Sequence, residues 1–143
     1  MPSIRLTAAL AVLLTGFTFA TAQAATLAGT WLTEKGDAHI RISRCGQALC
    51  GTIVWIKDKI DSATGKPPVD SSNPDPRKRR RPILGLRIFA MTKHDAGWIG
   101  QIYNSDNGQS YAGKLTLRGP DSLDVQGCAG ALCGSETWHR IGR

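Results

Sequence analysis

Apolar and polar positions alternate along most of the chain with a period of two, the pattern of strands that bury one face. Ala38, Ile40 and Ile42 share one face while His39, Arg41 and Ser43 share the other, and Tyr111, Gly113, Leu115 and Leu117 likewise oppose Lys114, Thr116 and Arg118. Residues 52–56 are apolar on both faces, which predicts a strand covered outside as well as inside. Eight strands are predicted, at 29–34, 38–44, 51–57, 86–93, 97–104, 110–118, 121–127 and 134–141. Short turn segments separate most of them, and Asn107-Gly108 is the strongest hairpin signal because both residues tolerate positive φ. Short connections make successive strands antiparallel. The expectation is an all-β fold, a small up-and-down barrel of about eight strands that closes on itself and so removes exposed edges.

Two segments break the rhythm. Residues 1–24 carry one base (Arg5), no acid, an apolar stretch and the small-residue triplet Ala22-Gln23-Ala24. This is the layout of a cleaved secretory signal, which leaves 25–143 as a single domain and predicts a periplasmic or secreted product. Residues 59–81 contain Gly65, Pro67, Pro68, Pro74 and Pro76, too many breakers for regular structure. A loop of that length reads as a functional lid, with a helical turn at 58–63.

Four cysteines fall in two matching segments, Cys45 to Cys50 and Cys128 to Cys133. In an oxidising compartment this spacing favours two local disulfides, each across a short hairpin, over the two other connectivities. A four-cysteine zinc site is the rival, but exported thiols meet oxidants before a metal can hold them, and a redox pair would want Cys-x-x-Cys. The formal net charge is +7, with 18 basic and 11 acidic residues. Five bases are consecutive, Arg77, Lys78, Arg79, Arg80 and Arg81, and without them the exported part is nearly neutral. Basic character confined to one loop argues against a nucleic-acid face and suggests docking on anionic lipid or lipopolysaccharide.

No constellation for catalysis is visible: no nucleophile elbow, no zinc-binding helix, no phosphate-binding glycine loop. His39, His94 and His139 are scattered, and Asx turns account for Asp70, Asn73 and Asp75 better than a calcium loop does. The expectation is a protein that is not an enzyme and holds no cofactor or metal.

Separate motifs in order carry a resemblance. They are Gly29-Thr30-Trp31, Cys50-Gly51-Thr52-Ile53-Val54-Trp55, Asp70-Ser71-Ser72-Asn73-Pro74-Asp75-Pro76, Arg81-Pro82-Ile83-Leu84-Gly85-Leu86, Trp98-Ile99-Gly100-Gln101-Ile102-Tyr103-Asn104, Asp106-Asn107-Gly108-Gln109-Ser110-Tyr111 and Thr137-Trp138-His139-Arg140. Across 25–143 the chain resembles the bacterial exported proteins grouped as domain of unknown function 2147. The resemblance implies a lipocalin-like, calycin-type barrel and no particular activity. Gly29-Thr30-Trp31 is similar to the lipocalin Gly-x-Trp signature, and Arg140 to the arginine that lies over that tryptophan at barrel closure; stacking of this kind contributes about 1 to 2 kcal/mol when partly desolvated. The leading expectation is a binding protein for a slim apolar or amphipathic molecule, such as a fatty acid or an isoprenoid, inside an apolar face of Ile40, Ile42, Ile53, Trp55, Ile102, Leu115 and Leu117. Trp55, Tyr103, Tyr111, Arg41 and Lys114 are the candidate ligand contacts. The alternative is a structural envelope protein with a filled barrel and the basic loop docked on an anionic membrane surface.

Overall fold

A computed structural model describes residues 26–143; the signal expected at 1–24 lies outside the described residues. Eight strands run in chain order: β1 (Gly29–Leu32), β2 (Ala38–Cys45), β3 (Ala48–Ile56), β4 (Arg87–His94), β5 (Gly97–Asn104), β6 (Gln109–Gly119), β7 (Ser122–Ala129) and β8 (Leu132–Gly142). Each pairs antiparallel with the next, and β1 pairs with β8, so the sheet is a closed barrel. The strand count and order agree with the alternation in the sequence. β3 and β8 begin three and two residues earlier than their patterns suggest, because the turns within the cysteine segments shrink to Gly46-Gln47 and Gly130-Ala131. Both glycines hold φ near +60° (66° and 59°), as such tight turns require. The expected helical turn at 58–63 is absent. Asp61 instead bridges to Lys66 around Gly65, and the one 3-10 turn among the described residues is Pro76–Lys78, capped by Asp75.

Disulfides join Cys45 to Cys50 and Cys128 to Cys133, with Cα separations of 5.8 Å and 4.0 Å. The first clamps the β2–β3 hairpin and the second the β7–β8 hairpin. Loops this short restrict the unfolded chain little, so reduction of each bridge should cost only ~2 kcal/mol. Non-reducing peptide mapping should recover the two local bridges alone, with no Cys45–Cys128 crosslink.

Turns alternate between two ends of the barrel. The 46–47, 95–96 and 120–121 turns lie at one end with the start of β1; the 33–37, 105–108 and 130–131 turns lie at the other, together with the long 57–86 connection. Trp31, Ile42, Met91, Leu115 and Leu123 fill the first, closed end, each no more than 1% exposed. Phe89 seats its ring against Gly51, its partner on β3, where a Cβ would collide with the ring. The lower half of the barrel is therefore a packed core of side chains.

Inward and outward faces follow the alternation except where bulges shift it. A bulge in the β2–β3 register pairs His39 with Trp55 but Ile40 with Ile53. Trp55 consequently leaves the inner face and stacks on His39, ring centroids 4.3 Å apart, which corrects its expected place in the apolar interior. Val54 beside it is 45% exposed, so the outside cover expected over 52–56 is not present at this residue.

Candidate functional site

Above the packed floor the barrel is hollow. A cavity of about 1120 Å3 opens at the end bearing the 33–37 and 105–108 turns. The apolar part of its wall is made by Ile40, Ile53, Ile56, Ile88, Ile102 and Val125, with Trp138 on β8. These residues sit one step along their strands from the filled layer, for example Ile40 from Ile42 and Val125 from Leu123. The volume exceeds the ~300–1,000 Å3 usual for small-molecule sites because the mouth is wide.

Of the five sequence-derived contacts, Tyr103 and Tyr111 line this cavity. Arg41 and Lys114 do not. Both alternate with buried residues, Ile42 and Leu115, and their side chains are exposed on the outer face, where Arg41 donates to Thr30 Oγ1 at 3.0 Å. A period of two assigns residues to opposite faces without saying which face is inner, and for these two strands the apolar set took the interior.

The long connection forms part of the cavity wall through Pro68, Val69, Ser71, Ser72 and Ile83. It is pinned by a charged node absent from the sequence expectations. Asp70 is 0% exposed and accepts hydrogen bonds from Tyr103 Oη (2.5 Å), Asn73 Nδ2 (2.8 Å) and Arg81 Nε (2.9 Å). Asn73 also donates to Tyr103 Oη at 3.0 Å, and the Arg81 guanidinium lies 5.9 Å from the Tyr103 ring centre. Burial alone would raise the Asp70 pKa, but the bonds from Tyr103, Asn73 and Arg81 outweigh it and hold the carboxyl below its usual range. The Tyr103 phenol is pushed up, by its own burial first and then by the Asp70 carboxylate. A second pin is steric: Gly108, at φ 71°, presses directly on the Ser72 carbonyl, leaving no room for a Cβ. Ser72 Oγ meanwhile donates to the Asp106 carbonyl at 3.1 Å. The connection expected as a lid thus forms part of the rim, bonded to β5 and to the 105–108 turn. The signal for it was present as Asp70-x-x-Asn73 plus Arg81, but spacing alone cannot distinguish a buried node from exposed Asx turns.

The basic run is divided by the same fold. Arg81 serves Asp70, Arg79 donates to the Asn73 carbonyl at 2.7 Å, and Arg77 forks onto Asp75 at 3.0 and 3.1 Å. Three of the five bases assigned to an anionic surface therefore hold the loop together, leaving Lys78 and Arg80 as the exposed members without such a bond among the described residues.

Acidic side chains divide more sharply. Glu34, Asp37, Asp58, Asp61, Asp106 and Glu136 line the cavity, against Lys35 as the one base there. None of the six forms an ion pair among the described residues, whereas Asp70, Asp75, Asp95, Asp121 and Asp124 each contact an arginine or histidine. The cup is acidic although the protein is basic.

At the opposite end Arg140 lies over Trp31, 4.3 Å from the ring centre, with its side chain 4% exposed. It donates to the carbonyls of Pro120 (2.8 Å), Ala28 (2.6 Å) and Thr26 (2.5 Å), while Trp31 Nε1 donates to Leu27 (2.9 Å). Chain entry, last strand and the β6–β7 turn are tied at one guanidinium. Among the described residues no group of three or more histidine, cysteine or acidic side chains is arranged to hold a metal, and no helix is long and apolar enough to cross a membrane.

No curated protein matches the chain. Among solved structures it is similar to protein HP1028 from Helicobacter pylori, described as belonging to the lipocalin family, with a TM-score of 0.68 and 18% identity over 81% of this chain and 83% of that one. The likeness is one of fold. A family model described as "Uncharacterized protein conserved in bacteria (DUF2147)" matches residues 29–140, from the first residue of β1 to the arginine that closes the barrel. The chain belongs to the DUF2147 family of bacterial proteins.

Proposed function

We propose that the protein is a non-catalytic, exported binding protein whose upper barrel takes the apolar chain of a small amphipathic molecule. The observation that carries this reading is the apolar cup above a packed floor. A lipocalin-like barrel suggests ligand binding, and the two disulfides suit an oxidising compartment. Each methylene withdrawn from water contributes about 0.8 kcal/mol, so about eight of them offer ~6 kcal/mol before association costs of several kcal/mol are subtracted. Short-chain ligands therefore bind too weakly to matter, and chains of about ten carbons or more are required by the same arithmetic.

The rim selects among head groups. Six carboxylates surround the mouth, so an alkyl carboxylate entering tail first would place like charge beside them. A neutral or cationic head suits the rim better, which favours an isoprenoid-like alcohol or an amine over a fatty acid. Native mass spectrometry of protein purified from its own host is expected to show a lipid-sized adduct. Thermal shift with dodecylamine, dodecanol and dodecanoate should then rank the amine and the alcohol above the carboxylate. No shift with any of the three, together with adduct-free protein, would retire the reading in favour of a structural role.

A further inference from the structure

A second cavity, of about 310 Å3, lies at the closed end of the barrel, away from the cup. β1 pairs with β2 only as far as Gly29 opposite Ile42, while β2 runs on to Cys45, so the β2 edge beyond Ile42 faces a gap. Thr26, Ala28 and Gly29 border the gap on one side and Ser43 on the other, and four arginines line it: Arg41, Arg44, Arg140 and Arg143. Among the described residues no acidic residue lines it, and the one carboxylate that reaches these arginines is Asp121, 3.4 Å from Arg140 Nε and 3.3 Å from Arg143 Nη2, itself 62% exposed.

Positive charge is thus concentrated here and poorly compensated. Arg140 gives three of its five N–H donors to carbonyls and its side chain is 4% exposed, so it contributes mainly field. Its pKa is lowered, by burial first and then by the charge of Arg143, with Asp121 opposing. Arg44 and Arg143 are exposed and line the cavity with Ser43; Arg41 uses one nitrogen on Thr30 and keeps its other donors. Planar forks from separate backbone positions around a small volume suit a tetrahedral oxyanion, which can accept from several of them at once. The volume admits such a group together with its hydration, so the arginines rather than the size of the cavity select the ligand.

We propose that this closed-end pocket is a binding site for a phosphate group, held by Arg44, Arg143, Arg41 and the Ser43 hydroxyl in the field of Arg140. The site is independent of what the cup binds. It places an anion-binding site at the end of the molecule opposite residues 77–81, where Arg41 and Arg44 form no ion pair among the described residues and Arg140 and Arg143 share the single carboxylate of Asp121.

The test uses the disulfide-bonded protein at constant ionic strength, so that general screening does not imitate binding. Inorganic phosphate, titrated against chloride, is followed by the amide resonances of Ser43, Arg44 and Arg143 and by the arginine Nε–H signals. In parallel, vesicles of phosphatidylcholine with and without phosphatidylglycerol are pelleted with the protein. Saturable shifts with phosphate that weaken by ~tenfold or more in Arg44→Gln/Arg143→Gln, at an unchanged melting temperature, support the site with free phosphate as its ligand. Arg44→Gln alone serves if the double variant melts early. Phosphatidylglycerol-dependent pelleting lost in the same variant, without a response to inorganic phosphate, supports it with a lipid-borne phosphate. No response in either arm overturns the proposal. So does binding that survives in Arg44→Gln/Arg143→Gln and falls in Lys78→Ser/Arg80→Ser, because the anion would then dock on the loop.

Discussion

Trp31→Ala is expected to destabilise the protein by about 4 kcal/mol, as measured by chemical denaturation with the disulfides intact. Trp31 is 0% exposed at the centre of the closed end, and its removal leaves a cavity that neighbours on four sides of a barrel cannot collapse to fill. It also takes away the ring beneath Arg140 and the indole bond to the Leu27 carbonyl. Against a total stability of ~5–15 kcal/mol, the loss is a large fraction of the whole. Arg140→Lys keeps the charge but cannot reach three carbonyls and lie flat on an indole, so it should cost about 2 kcal/mol. A lysine variant that melts with the parent would show that charge alone closes the barrel.

Asp70→Ala should cost about 3 kcal/mol, because a buried carboxylate that accepts from three side chains leaves Tyr103 and Asn73 without their partner. Arg81 softens the loss, since its side chain is 39% exposed and regains water. The pH profile separates this node from ordinary packing. Asp70 has a pKa lowered in the folded state from the ordinary 3.8, so it contributes stability above that value and loses it as pH falls through the folded pKa. Tyr103, raised above its ordinary 10.0, contributes stability below that value and loses it as pH climbs through its folded pKa. Asp70→Asn should therefore flatten the acid limb of the stability profile and weaken the alkaline one. Asp75 is also lowered, but its partner Arg77 is exposed, so Asp75→Asn should leave the profile nearly unchanged. If Asp75→Asn flattens the acid limb and Asp70→Asn does not, the node is misassigned.

The barrel was legible because alternation, turn residues and cysteine spacing are local quantities that all indicate the same hairpins. Asn107-Gly108 fixes a turn wherever it sits in the fold, and the two cysteine segments require only their own strands. The site was legible in part. Tyr103 and Tyr111 could be chosen as polar groups on strands, yet a single bulge beside Ile40 was enough to send Trp55 outside, and bulges leave no mark in a period-two pattern. The Asp70 node reaches beyond its neighbour Asn73 to Arg81 and Tyr103, 11 and 33 positions away in the chain. Likewise, the acidic rim is assembled from three separate connections and β8, and its unity appears only when the barrel end gathers them. Charge counted along the chain marked 77–81 as one basic surface, but it could not show that Arg77, Arg79 and Arg81 bond within their own loop while Lys78 and Arg80 do not.

The most direct measurement is the isoleucine methyl spectrum of the selectively labelled protein, titrated with dodecanol below its solubility limit. Ile40, Ile53, Ile56 and Ile102 line the cup, whereas Ile99 and Ile141 lie exposed on the outside and Ile42 lies in the packed floor. The account predicts saturable shifts at the first four methyls, with Ile99 and Ile141 unmoved and Ile42 displaced slightly. Shifts confined to Ile99 and Ile141, or none that saturate, would contradict a binding cup in this barrel.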